Sequence, residues 1–177
     1  MTAMMLIAVS GAGLCGLLAW GLLVPREMNV SRSAVVRGPL HQVEEMVSLL
    51  PRRCQWISWT ETEPEARYDF EGEPGELGST MAWDGSTIGR ATLTLTERVH
   101  GSHTQARLDY HAPIRMTTTD RFDFEDLGDG TTRVTWTNKG KVPAGMARVF
   151  ALVADRVLGP DYERGLERLD EQLASRA

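Results

Sequence analysis

A chain of 177 residues, 42% apolar and 24% charged, has the size of one ordinary domain and enough apolar material for a real core. Its net charge of −5, from 19 basic and 24 acidic side chains, argues against a nucleic-acid or anionic-lipid surface as the main partner, since both need a basic patch. Two cysteines, Cys15 and Cys54, exclude a disulfide framework and a four-cysteine zinc site.

The first element is the run from Ala3 to Val24, which carries no charge. At 1.5 Å per residue it reaches ~33 Å, enough for the ~30 Å hydrocarbon core of a bilayer. Trp20 falls near one end, at headgroup level, and Pro25 and Arg26 close the run. A cleaved signal peptide is the competing reading, but it would carry a basic flank before a shorter apolar stretch. Here no Lys or Arg precedes Arg26, and Leu14 stands before Cys15 where a lipoprotein site would have a small residue. The segment 3–24 is therefore expected to be an uncleaved single-pass anchor. Arg26, Arg32 and Arg37 on its C-terminal flank place the N-terminus outside and the domain in the cytoplasm. Ala8, Ala12 and Gly16 recur every four residues, a stripe on which another membrane helix can pack closely. Glycine is also simply common in such helices, so the stripe has a bland reading as well.

Residues 25–177 form the expected globular domain. Val30, Ala34 and Val36 share a parity and mark a first strand, ended by Gly38-Pro39. Val43, Met46, Val47 and Leu50 recur at helical spacing up to Pro51. The segment 52–59 is aromatic-rich and too short for a full helix. Alternating runs follow around Tyr68 and Phe70, Met81 and Trp83, Ala91 to Leu95, Ala106 to Tyr110, Met116 to Phe124, and Val134 and Trp136. Turn signals separate them at Asp84-Gly85, Gly101-Ser102 and Gly128-Asp129-Gly130. These runs predict an antiparallel meander of about six strands, covered on one face. Met146, Val149, Phe150, Val153 and Val157, then Tyr162, Leu166, Leu169 and Leu173, supply the covering helix stripe. Pro160 is expected to kink or restart the helix. The class is α+β, with a concave space between sheet and helix suited to an apolar ligand.

The ordered set of segments is familiar: VSRSAVVRGPLHQV (30–43), QWISW (55–59), YDFEGEPGELGSTMAWDG (68–85), IGRATLTLTE (88–97), RLDYHAPIRMTTTDRFDFE (107–125), GDGTTRVTWTNKGKVP (128–143) and DYERGLERL (161–169). Together they resemble the SRPBCC superfamily, the START-like helix-grip proteins, and within it the bacterial members labelled polyketide cyclase/dehydrase. Many of those carry an N-terminal membrane helix. The resemblance implies a hydrophobic ligand, a lipid, sterol or polyketide, held between sheet and helix. The chain departs from the family's usual pattern at Glu44, where an aromatic is typical, and at Gly159-Pro160.

On the inner parity of the strands, Tyr68, Trp83, Leu95, Tyr110, Phe122 and Trp136 are the candidate ligand contacts, with Phe150 from the helix. Each has an ordinary reading as core. Asp120 shares that parity, and an interior carboxylate is costly unless paired. It reads as a polar ligand anchor or weak catalytic candidate, or as a structural ion pair or strand end. Arg32, on the apolar parity of the first strand, is a candidate partner for an interior acid. His100 and His103 flank a turn with no third ligand in view, so no metal is expected, nor any cofactor. Cys54 reads as a small buried hydrophobe. Three functions stay open: a membrane-anchored domain binding a hydrophobic molecule or lipid, an accessory subunit held to a membrane protein through the anchor, and a cyclase- or dehydratase-type enzyme.

Overall fold

The computed structural model describes residues 25–144 and 146–175, with side chains throughout except at 146–150. The expected anchor at 3–24, including Ala8, Ala12 and Gly16, lies outside the described residues. Among the described residues no helix is long and apolar enough to cross a membrane.

Strand β1 (Glu27–Arg37) opens the domain, followed by three short helices, α1 (Leu40–Ser48), α2 (Leu50–Arg53) and α3 (Trp59–Thr62). Six strands follow: β2 (Arg67–Glu71), β3 (Thr80–Asp84), β4 (Arg90–Val99), β5 (His103–Ala112), β6 (Met116–Asp126) and β7 (Thr131–Lys141). The chain closes with α4 (Met146–Ala174). The seven strands form one curved antiparallel sheet in the order β1-β7-β6-β5-β4-β3-β2. β1 therefore returns to the last strand, and α1–α3 carry the chain from one sheet edge to the other. This is the helix-grip arrangement: a curved meander holding one long helix.

Alternation sets the core. On β6, Thr118, Asp120, Phe122 and Phe124 are buried while Thr117, Thr119 and Glu125 are exposed. On β7, Val134, Trp136 and Asn138 face the same way. Val30, Val36, Val43, Met46, Val47, Leu50, Trp56, Leu166 and Leu169 complete a single interior.

Three local expectations change. Pro51 does not merely stop α1; it occupies the first turn of α2, where its missing N–H has no partner to lose. The Asp84-Gly85 signal does not make a two-residue hairpin. Residues 85–89 form a wider loop, closed by the Gly85 N–H on the Gly89 carbonyl at 3.0 Å. Gly89 has φ +72°, and a Cβ there would lie 2.4 Å from the Ala112 carbonyl, so only glycine fits.

The third change is in α4, which runs unbroken through Gly159-Pro160. Pro160 is exposed and removes one ladder bond on the outer side. Gly159 is buried, and an added Cβ would sit 1.9 Å from Arg32 Nη2. The glycine thus makes room for a guanidinium. Arg32 pairs with Asp155 and Glu163 of α4, each at 2.6 Å, rather than with an interior acid. An unbroken helix also fixes its phase. At ~100° per residue, Val153 and Tyr162 point about 180° apart. Tyr162, Leu166, Leu169 and Leu173 are buried together with Ala154, whereas Val153 and Val157 are exposed. Val153 and Val157, expected to continue the stripe of Tyr162, lie on the solvent side of the helix instead.

Candidate functional site

Between α3, the 85–89 loop and α4 lies a cavity of about 260 Å³. Trp59 and Thr62 reach it from α3, Trp83 from β3, Tyr110 from β5, Thr87 and Ile88 from the loop, and Leu158, Asp161 and Tyr162 from α4. The Trp59 and Trp83 rings stack with centroids 5.8 Å apart and planes 26° apart. Trp59 Nε1 is buried without a protein partner. Burial pushes the Asp161 carboxyl up, with Arg164 opposing. It pushes the Tyr110 and Tyr162 hydroxyls up as well, so both are protonated donors at neutral pH.

Below the cavity the interior is filled by rings. Tyr162 stacks on Trp136 at 4.0 Å and 7°, and Trp136 stacks on Phe122 at 4.9 Å and 25°. Trp56 meets both Phe122 and Trp136 edge-on, at 5.9 and 5.8 Å. These rings cap a buried polar group. Asp120 is 2% exposed; its Oδ2 accepts from Arg53 Nη1 at 2.8 Å and its Oδ1 from Trp136 Nε1 at 2.6 Å. Arg53 is 1% exposed, donates through Nε to the Val47 carbonyl at 2.9 Å, and lies 4.7 Å over the Phe122 ring. Burial pushes the Asp120 carboxyl up against the pull of Arg53, and pushes the guanidinium down. A guanidinium keeps its proton at any ordinary pH, so the two groups stand as an ion pair.

The sequence candidates divide accordingly. Trp83 and Tyr110 line the cavity. Tyr68 pairs with Trp83 across β2–β3, and its hydroxyl, pushed up to about 12 by burial, is buried without a partner, but it does not line the cavity. Asp120, Phe122 and Trp136 form the packed cluster below. Leu95 is 1% exposed on β4 and does not line the cavity. Phe150 is on α4 with its side chain outside the described set. Trp59, Ile88, Leu158 and Asp161 were not singled out from sequence, and neither was Arg53. The QWISW segment was the available signal for Trp59. The other residues sit on a loop or at helix positions whose facing depends on the phase of α4.

His100 and His103 turn to different carboxylates, His100 Nδ1 to Glu44 at 2.8 Å and His103 Nε2 to Glu97 at 3.4 Å. Among the described residues no group of three His, Cys, Asp or Glu is placed to hold a metal. Glu44, the departure noted from sequence, is 4% exposed and accepts from Arg98 Nε at 2.9 Å and from the Gly101 N–H at 3.2 Å, tying α1 to the β4–β5 turn. Cys54 Sγ lies 3.2 Å from Met81 Sδ, and burial pushes the thiol up to about 11, so it is no nucleophile at neutral pH.

One wall of the cavity is strapped shut by Glu63. Its carboxylate accepts from the Ser86 hydroxyl and from the Ser86, Thr87 and Ile88 N–H groups, at 2.6 to 3.0 Å. Those bonds, the Ser86 hydroxyl first, hold it down to about 2 against an ordinary 4.5. A carboxylate lowered by folding contributes above its unfolded value and is lost as pH falls toward the folded one. Protection of the Thr87 and Ile88 amides, taken against the intrinsic exchange rate at each pH, should therefore fall between pH 4.5 and about 2, ahead of protection at core residues such as Leu108. Loop and core protection falling together would show that the strap is not the weak point.

The comparisons agree with this geometry. A Chromobacterium violaceum protein superposes with a TM-score of 0.61 at 11% identity, covering 82% of this chain and 96% of that one. A Rhizobium leguminosarum protein gives 0.61 at 17%, covering 84% and 95%. DynU16, a protein of the dynemicin biosynthetic locus, gives 0.56 at 14%, covering 82% of this chain and 47% of its own. At these identities the likeness is one of fold. A search of curated protein sequences found no match. The family model for polyketide cyclase/dehydrase and lipid transport matches residues 27–174, essentially the whole described domain, and the chain belongs to that family.

Proposed function

We propose that this protein is a membrane-anchored binding domain for a small hydrophobic molecule, with residues 3–24 as a single span and the domain on the cytoplasmic side. The observation that carries the reading is the cavity walled by aromatic side chains between α3, the 85–89 loop and α4. Four aromatic side chains, Trp59, Trp83, Tyr110 and Tyr162, offer apolar area. The cavity lies just under the ~300–1,000 Å³ span of sites for drug-sized ligands, so the ligand portion it holds is compact. A cyclase-type reaction would need an acid or base at the ligand. Asp120 is engaged by Arg53 and Trp136, and the carboxyl that lines the cavity is Asp161.

The test is native mass spectrometry of the full-length protein extracted from its own membrane in mild detergent. A bound small mass is expected on the wild type and absent from Leu158→Trp, which fills the cavity. A wild type that travels empty, or a Leu158→Trp variant that keeps the mass, would overturn the reading.

A further inference from the structure

Carboxylates that this domain buries or half-buries are met by donors. Asp120 and Glu44 accept from Arg53 and Arg98. Asp109, Asp123 and Asp170 accept from Arg107, Arg121 and Arg37. Glu63 accepts from the Ser86, Thr87 and Ile88 amides. Asp161 is the exception. It is half-buried, yet among the described residues no donor stands within hydrogen-bond or ion-pair distance of its carboxylate. Its backbone carbonyl takes the Ser58 hydroxyl at 2.9 Å, which ties this turn of α4 to the start of α3.

The exception falls in the cavity. Among the described residues no Lys, Arg or His lines that space, and Tyr110 and Tyr162 keep their protons, so Asp161 alone brings a charge to it. Two arginines follow on α4, and neither covers the carboxylate. Arg164 is exposed and acts on Asp161 through space without a contact. Arg168 donates to the Ile57 and Gln55 carbonyls and pairs with Glu61 at 3.4 Å. A carboxylate partly withdrawn from water costs free energy unless a donor or a cation answers it. The surrounding walls suit a cation. Trp136 covers one face of the Tyr162 ring from outside the cavity, at 4.0 Å, which leaves the other face on the cavity side. An aromatic face attracts a cation and repels an anion.

We propose that the ligand of this cavity is a hydrophobic amine, bound as its ammonium with the N–H groups on the Asp161 carboxylate and its apolar part among Trp59, Trp83, Tyr110 and Tyr162. The inference rests on the reading that the cavity holds a small hydrophobic molecule, and it names the class of that molecule. A fatty acid or other carboxylate is disfavoured, because it would bring a second negative charge to a site that already holds one. A neutral alcohol gives Asp161 one hydrogen bond and leaves its charge uncompensated. A protonated primary amine supplies three donors and the charge together. Asp161 is thereby the residue that sets specificity, and the rings supply affinity.

The test titrates the full-length protein, held in dodecyl maltoside at neutral pH, with three probes that share one tail: straight-chain phenylpropylamine, phenylpropanol and phenylpropanoate. Calorimetry should rank them amine, alcohol, carboxylate, with the amine about tenfold or more tighter than the alcohol, the margin of a charge-assisted over a neutral hydrogen bond. Asp161→Asn keeps the shape of the side chain and should erase the gap between amine and alcohol. Leu158→Trp should abolish binding of the amine. Alcohol that binds as tightly as amine, with both lost in Leu158→Trp, overturns the amine and leaves the cavity a binding site. An amine preference that survives Asp161→Asn, or amine binding that survives Leu158→Trp, also overturns the proposal, since the charge would then be read elsewhere. A wild type that carries a native small mass but takes none of the probes overturns the amine alone. A wild type that is empty by mass spectrometry and takes none of them overturns the binding reading as well.

Discussion

Removing the Asp120 carboxylate by Asp120→Ala is expected to destabilise the domain by about 3–5 kcal/mol, because it strands the Arg53 guanidinium in the interior. Both members of the pair are almost fully buried, at 2% and 3% side-chain exposure. Arg53 has one further acceptor, the Val47 carbonyl, and its Nη2 is already without a partner. Losing Asp120 also orphans Trp136 Nε1. The double replacement Arg53→Met with Asp120→Leu should recover roughly half of the loss, since an apolar pair of similar volume often replaces a buried ion pair at little cost. What remains should be about 1–3 kcal/mol, the cost of the unsatisfied indole N–H. Urea unfolding of the two single variants and the double variant measures all three. A double variant no more stable than Asp120→Ala would show that the pair is not an isolated unit. The same series separates a structural Asp120 from one that serves the ligand: a structural pair predicts that the double variant still rebinds the cavity ligand.

How far the sequence carried this picture varies along the chain. Strict alternation on β6 was enough to turn Asp120 inward, because a strand has a period of two and few ways to be misread. Its partner was not legible. Arg53 ends a four-residue helix, and Trp59 begins another, each too short to show a period, so the facing of both depends on contacts with distant strands. The helix-grip order of elements could be read because each strand is bounded by turn chemistry. The phase of α4 could not. Its two apolar stripes were joined on the expectation that Gly159-Pro160 would reset the helix, and the seating of Arg32 against Gly159 is a tertiary reason for an unbroken helix that no local signal carries. The cavity was expected to extend into the concave face through Phe122 and Trp136. Instead these rings close it from below, which follows from ring contacts between residues far apart in sequence, such as Trp56 with Trp136 and Trp59 with Trp136.

That closure makes Trp136 the residue that sets the depth of the pocket, and Trp136→Ala should have the second large effect. Trp136 is 1% exposed and touches Phe122, Trp56, Trp59 and Tyr162. Deleting its ring should cost about 3–5 kcal/mol, as truncation of a buried Trp does where the surroundings cannot collapse. Collapse is hindered here, because its neighbours are themselves rigid rings stacked on other rings. Two of them, Trp59 and Tyr162, also wall the cavity, so the void left by the indole should open into it. An apolar void of this kind accepts an apolar guest in place of water. Added indole is therefore expected to raise the melting temperature of Trp136→Ala and leave the wild type unmoved. At a hundred times its dissociation constant the guest should return about 2.7 kcal/mol. Indole that stabilises both proteins equally would mean the native cavity already reaches past Trp136. Indole that stabilises neither would mean the rings collapse into the space, and the pocket's depth would then be set by the backbone rather than by the aromatic floor.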